Sequence, residues 1–359
     1  MNMLYLVIAK FPNKSNPMKT NYFFKIAALL LVVSTLSCSS RSSNIGVEGL
    51  TIEVSDNVIY DQSTVEFKVV NGGGDDVTDN ATIFVDGVDI EGDSYLFTGI
   101  GARTITAETT LDQADPVIVE VIEPSYTTKM LIEDYTGAWC AWCPVVTKGI
   151  IDAHAVPVKG DHVIAVAIHN GDSMEFSLES QMRSQFDVTE FPTATLNRTP
   201  TFWIKNNVTL NMDIPQALAF LDPVQPVGLA INSSVNGDNV TADVKVGFDL
   251  NQEDLKLVVF LLENGHVEEQ LDNTSYFGGP GLVPDFVHNE ILRKSFTDVF
   301  GDVIPEQEQR AGNVYEVSLS VNEPGVNTTD WDIVAFVVDQ AGEVVNVQKA
   351  KVGTDQDFD

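Results

Sequence analysis

The apolar positions change regime twice along the chain. Between residues 49 and 124, apolar and polar side chains alternate in short runs such as Thr64-Val65-Glu66-Phe67-Lys68-Val69 and Ala81-Thr82-Ile83-Phe84-Val85, broken by Gly, Asp and Asn turns. Alternation with period 2 sends one row inward and the next outward, so this segment predicts a β-sandwich of immunoglobulin-like type. From Met130 the pattern is different. Met130-Leu131-Ile132 and residues 163–168 are continuous apolar runs of the kind that become buried strands. Residues 145–155, and then Leu178, Met182 and Phe186, have helical spacing. That order of strand, helix, strand and helix predicts an α/β unit with parallel strands over 125–223. Beyond Pro223, strict alternation returns at Val240, Ala242, Val244, Val246, Phe248 and Leu250, with further strands expected at 255–262, 315–321 and 331–338. A second sandwich is therefore predicted over 224–359. It carries a long insertion, residues 264–312, that holds Gly278-Gly279-Pro280-Gly281 and two of the five histidines. Loops of that length are often functional.

The N-terminus has the layout of an address. From Met18, a candidate start, Lys19 and Lys25 lead into an apolar run at 26–33, and small residues precede Cys38. Residues 1–37 are thus expected to be a secretory signal peptide, since the run is far shorter than the roughly 20 residues of a membrane-spanning helix. A cysteine directly after the cleavage point resembles the bacterial lipoprotein signal, which would make Cys38 the lipidated N-terminus and the membrane attachment. Ser37 fits the small position before it; Thr35 stands where that signal usually has Leu, and Leu36 comes one place late. Residues 38–48 would be a polar tether.

Charge narrows the partners. With 20 Lys+Arg against 52 Asp+Glu, the formal net charge is −32, a balance that repels phosphate backbones and excludes nucleic acid as an expected partner. Most of the acid reads as solvated surface. Gly72-Gly73-Gly74-Asp75-Asp76, with Asp79 and Asn80, offers oxygen ligands but lacks the twelve-residue calcium-loop spacing. The same glycines are followed by neither a helix nor a lysine, so no phosphate loop and no cofactor are expected.

The chemistry concentrates at Cys140-Ala141-Trp142-Cys143, a CxxC placed after a predicted strand and at the start of a predicted helix. Unpaired N–H groups and the helix dipole there lower a thiol pKa, which suits Cys140 as a nucleophile. Cys143, one turn on, would then attack the mixed disulfide and release the partner. A zinc site would need a second CxxC or a paired histidine motif, and the chain has neither, so no metal is expected. A purely structural disulfide stays open as an alternative. His169 and Asn170 fall at the predicted strand end where α/β proteins place their sites.

The segment resembles the thioredoxin fold. Six residues before Cys140, Asp134 matches the buried acid; Trp139 matches the aromatic residue before the first cysteine; Phe191-Pro192-Thr193 matches the cis-proline loop. The resemblance implies that Asp134 helps deprotonate the resolving Cys143 and that Pro192 shapes a client groove. Ala141-Trp142 stands where thioredoxin itself has Gly-Pro, so no redox potential carries over. With the lipoprotein-type signal, the centre LIEDYTGAWCAWCP and His288-Asn289-Glu290-Ile291-Leu292-Arg293, residues 125–352 resemble the outer membrane protein twenty-eight-related lipoproteins of Bacteroidetes. The expected architecture is then multidomain: an Ig-like β-sandwich at 49–124, a thioredoxin-like α/β domain at 125–223 and a C-terminal β-sandwich at 224–359. The function expected from it is a thiol-disulfide oxidoreductase acting on envelope protein thiols and disulfides; the alternative is an outer-membrane or surface binding or adhesion lipoprotein with a non-catalytic thioredoxin-like scaffold.

Overall fold

The protein was analysed as a computed structural model that describes residues 49–205 and 212–359. The expected signal peptide, the lipidation site Cys38 and the tether lie outside the described residues.

The first segment supplies β1 (Thr51–Val54), β2 (Val58–Tyr60), β3 (Thr64–Val70), β4 (Thr82–Val85), β5 (Val88–Asp89), β6 (Ser94–Leu96), β7 (Gly101–Glu108) and β8 (Val117–Ile122). They form two sheets, ordered β1-β3-β6 and β2-β8-β7-β4-β5. Alternation does the sorting: Val65, Phe67 and Val69 of β3 face inward and Thr64, Glu66 and Lys68 outward. The inward rows of both sheets meet in one core with Ile83, Phe97, Ile105 and Val119. Asp249 fastens this segment to the rest of the chain, accepting from Tyr60 Oη at 3.1 Å and from Ser125 N at 2.7 Å.

Next come β9 (Met130–Thr136), α1 (Pro144–His154), β10 (Val163–His169), α2 (Glu179–Gln185), β11 (Thr193–Leu196), β12 (Phe202–Lys205) and α3 (Ile214–Leu218). The remaining strands are β13 (Val227–Asn236), β14 (Asn239–Phe248), β15 (Lys256–Glu263), β16 (His266–Asp272), β17 (Gly281–His288), β18 (Ile291–Ser295), β19 (Asp302–Val303), β20 (Val314–Asn322), β21 (Trp331–Val338), β22 (Val344–Lys351) and β23 (Asp355–Gln356).

The expected division at residue 223 does not separate two sheets. Among the described residues one nine-stranded sheet runs β12-β11-β9-β10-β18-β15-β21-β22, with β19 paired to β15. The junction is the parallel pairing of β10 with β18 at Ala167↔Ile291, where Ala167 N donates to Glu290 O at 2.7 Å. The unpaired edge of β10 is completed by a strand from beyond the expected boundary. That strand comes from the expected insertion at 264–312, which is structured and forms β16 to β19.

This sheet curls until β22 returns to the neighbourhood of β9: Lys129 N donates to Asn346 Oδ1 at 2.9 Å, and Val344 N donates to Asn197 O at 2.8 Å. Inside the curl lie Leu131, Tyr135, Val166, Phe260, Phe336 and Val347. Fully burying an aliphatic or Phe side chain stabilises by roughly 1.5–3 kcal/mol, so this core accounts for much of the cohesion across the expected boundary. Two residues on β9 with the opposite parity, Met130 and Ile132, face out from the curl onto α1 and α3. On the outer side of β15 and β21, Leu257, Val259, Leu261, Ile333 and Ala335 are covered by a second sheet, β20-β14-β13-β23. The ring of Tyr126 crosses that second sheet at Gly228 and Gly247. A Cβ there would stand 2.1 Å from Tyr126 Cδ1 and 2.2 Å from its Oη, so only glycine admits the ring.

Candidate functional site at the CxxC loop

Residues 137–143 connect β9 to α1, and Cys140 and Cys143 are joined by a disulfide with their Cα atoms 5.4 Å apart. Cys143, not Cys140, stands at the helix N-cap, and Pro144 occupies the first turn, where a missing N–H costs no hydrogen bond. Cys140 lies a turn earlier: its N–H donates to Gly137 O at 2.9 Å and its carbonyl accepts from Cys143 N at 3.1 Å. The expected position of Cys140 at the start of the helix is corrected accordingly. The reason is Pro144, which cannot donate back to Cys140 O and so delays regular helical hydrogen bonding.

The disulfide is covered. Cys140 is 5% exposed and Cys143 1%. Its cover is the antiparallel hairpin β16–β17, whose first strand runs along the loop: Leu271 N donates to Ala138 O at 2.8 Å and Asn273 N to Ala141 O at 2.7 Å. From the same strand Gln270 Nε2 reaches Cys140 O at 3.1 Å. Nothing local in the sequence marks this arm as the partner of the CxxC loop. Its only signal is the unusual length of the 264–312 segment.

Trp139 and Trp142 flank the disulfide and are exposed. The Trp139 indole donates to Asn170 O at 2.6 Å and meets the ring of Phe191 edge-on, centroids 5.3 Å apart. The Phe191-Pro192 peptide bond is cis. Gly137 allows this packing, since a Cβ there would fall 2.7 Å from Trp139 Nε1 and 2.8 Å from Asn170 O. Trp139 and Pro192 are thus on adjoining loops. The turn after β10 braces them: Asp172 accepts from Ala138 N at 2.8 Å, and its Oδ2 lies 2.8 Å from His169 Nδ1. Burial opposes the charge on Asp172, but hydrogen bonds from His169, Ala138 and Met174 outweigh it and hold its pKa below the usual value.

Asp134 sits on β9, in register with Ala167 of β10 and Ala194 of β11. It is buried, and among the described residues its Oδ1 has no hydrogen-bond partner. Burial, and then the charge of Glu290, push its pKa well above the usual carboxyl value. Asp134 lines a cavity of about 580 Å³ together with His169, His288, Glu290, Phe277 and Phe286. Burial raises the Glu290 pKa from 4.5 to about 7. Burial, and then His169, lower that of His288 from 6.5 to about 4. The histidine rings stack edge-on at 5.3 Å. Sequence reasoning placed Asp134 and His169 near the thiols but attached no site role to Glu290 or His288.

Fold and site together define a multi-sheet, β-rich protein whose CxxC disulfide lies beneath a β-hairpin and beside an acid-lined cavity. The family described as "Outer membrane protein Omp28" matches residues 179–356, which includes the hairpin and Pro192 but stops short of the disulfide. The chain is similar in fold to HBP35 of Porphyromonas gingivalis, with a TM-score of 0.52 and 18% identity over 64% of this chain and 77% of that one. A second solved structure, the three N-terminal domains of the bacteriophage RB49 highly immunogenic outer capsid protein, is 8% identical over 84% of this chain and 68% of its own, with a TM-score of 0.25. No curated protein matches the sequence. Among the described residues no helix is long and apolar enough to cross a membrane.

Proposed function

We propose that the chain is an outer-membrane-associated binding or adhesion protein of the cell envelope, tethered by a lipid on Cys38, in which Cys140–Cys143 is a shielded clasp. The observation that carries this is that Cys140 and Cys143 are both buried on a loop bound to the arm by backbone hydrogen bonds, which restricts the in-line approach that exchange with a client disulfide needs. The family match over the hairpin-bearing half supports the location. The arm also has an outward apolar row, with Val267 paired to Val287 and Leu271 to Leu282, all exposed, which gives a binding protein a contact surface.

A second reading, a thioredoxin-like thiol-disulfide oxidoreductase, is favoured by one observation. The CxxC lies between a strand and a helix, Asp134 is buried on that strand, and Pro192 is on an adjoining loop. In that reading the pair works from its reduced dithiol form: the Cys140 thiolate attacks a client disulfide, Asp134 takes up the proton of Cys143, and Cys143 displaces the client as a dithiol while the Cys140–Cys143 disulfide forms.

The equilibrium reduction potential of the pair decides between them. A value below roughly −300 mV, with no disulfide-linked adduct trapped by Cys143→Ser, agrees with the clasp. A value between roughly −120 and −270 mV, with adducts trapped through Cys140, replaces it with the oxidoreductase.

A further inference from the structure

The cavity of about 580 Å³ beside the CxxC loop has a composition that the clasp does not use and from which the oxidoreductase reading takes only Asp134. Its volume falls within the range of small-molecule sites, roughly 300–1,000 Å³. Its lining is apolar at Ile150, Phe277, Val283 and Phe286. Three carboxyl residues, Asp134, Asp285 and Glu290, also line it, and Glu290 acts electrostatically on Asp134. Among the described residues no Lys or Arg lines the space, and Lys349 influences Glu290 from outside the lining. Two buried polar atoms on lining residues lack a partner among the described residues: Asp134 Oδ1, on a residue 2% exposed, and His288 Nε2, on a residue 5% exposed. A buried polar atom left unbonded costs about 1–3 kcal/mol, and a ligand that bonds it recovers that free energy.

We propose that this cavity binds a small organic amine, its ammonium group between Asp134 and Glu290 and its apolar, ring-sized body against Phe277, Phe286 and Val283. An ammonium donates to the free oxygen of Asp134 and favours the ionised form of the carboxyls beside it, so its binding displaces a proton that burial otherwise holds there. Among the described residues no group of three or more His, Cys, Asp and Glu is arranged to hold a metal ion, which favours the organic cation over a divalent one. The site is independent of the role assigned to the disulfide, so its failure leaves that assignment standing.

The test uses three isosteres that differ in charge: tryptamine, tryptophol and indole-3-acetate, each titrated calorimetrically into the full chain near neutral pH. Saturable tryptamine binding at one per chain is expected, with tryptophol weaker by at least about tenfold and indole-3-acetate not bound. Glu290→Gln, which keeps the shape of the side chain, should weaken tryptamine by a similar factor. Ile151→Trp, at an exposed helix position on the cavity wall, should block it without changing any charge and without threatening the fold. Absence of saturable tryptamine binding overturns the proposal, as does tryptophol binding equally well. So does tryptamine affinity that survives both substitutions.

Discussion

Gln270 and Cys140 are joined across the sequence by a hydrogen bond from Gln270 Nε2 to Cys140 O at 3.1 Å, and the same amide reaches Gly137 O at 3.3 Å. Gln270 is 3% exposed, so its two N–H donors have no water to fall back on. With the backbone bonds of Leu271 and Asn273 on either side, the arm and the CxxC loop form one hydrogen-bonded unit. Opening the path to the disulfide therefore means breaking all of these bonds together.

Gln270→Ala removes the central bond and leaves two loop carbonyls without that donor. The expected cost is about 1–3 kcal/mol of stability, measured by urea unfolding, because the lost partner was buried. Reduction of the disulfide by dithiothreitol should accelerate in parallel, since local opening becomes easier. An unchanged reduction rate would mean that the arm does not control access.

Replacing both cysteines with serine tests the coupling from the other side. If the disulfide fixes the loop that the arm docks on, hydrogen exchange at the amides of Leu271 and Asn273 should lose protection by at least about tenfold. Amides within β15 and β21, far from the loop in the same sheet, should not change. Equal protection at Leu271 in both proteins would show that the arm docks without help from the disulfide.

The elements built on local pattern were legible in the sequence. Unbroken apolar runs marked β9 and β10, strict alternation marked β14, and Cys140 and Cys143 stand out by spacing alone. The continuity of the large sheet was not legible, because it rests on one pairing, Ala167↔Ile291, between distant segments, and no periodicity encodes which edge a strand joins. The arm was hidden for another reason. β17 carries Pro284 and Asp285 and has mostly solvent-exposed residues, so it lacks the alternation of a half-buried strand and reads as loop. Glu290 stayed invisible because its importance comes from facing Asp134, a relation that exists only once β18 lies beside β10.

The cavity groups give the protein a pH signature. Glu290 titrates at about 7 in the folded state instead of 4.5, so the folded state keeps a proton that the unfolded state has released. Stability from this group is full below 4.5 and is lost as pH rises towards 7, and Asp134, also raised, acts in the same direction. His288 does the opposite. Its folded pKa of about 4 against 6.5 means that the unfolded state takes up the proton first, so stability is lost as pH falls from 6.5 to 4. Glu290→Gln should therefore be more stable than the parent at pH 8, by up to about 3 kcal/mol, and equal to it at pH 4. Urea unfolding at the two pH values checks this, and parallel pH profiles for the two proteins would refute it.

Arg198 is the strongest candidate for a single-residue failure point. Its guanidinium is buried, lies 2.7 Å from Glu133 Oε1, and sits over the rings of Phe186 at 4.9 Å and Phe336 at 4.7 Å. Its Nη1 also donates to Val299 O at 3.0 Å. Removing the arginine leaves the Glu133 carboxylate inside the curled sheet with no counter-charge, so Arg198→Met should destabilise by about 3–5 kcal/mol. Adding Glu133→Gln should recover much of the loss, because the stranded charge is then gone. Arg198→Lys should recover little, since a lysine cannot reproduce the planar contact with two rings or the fork to Glu133 and Val299. If the single and double variants unfold at the same urea concentration, the loss comes from packing and not from the orphaned carboxylate.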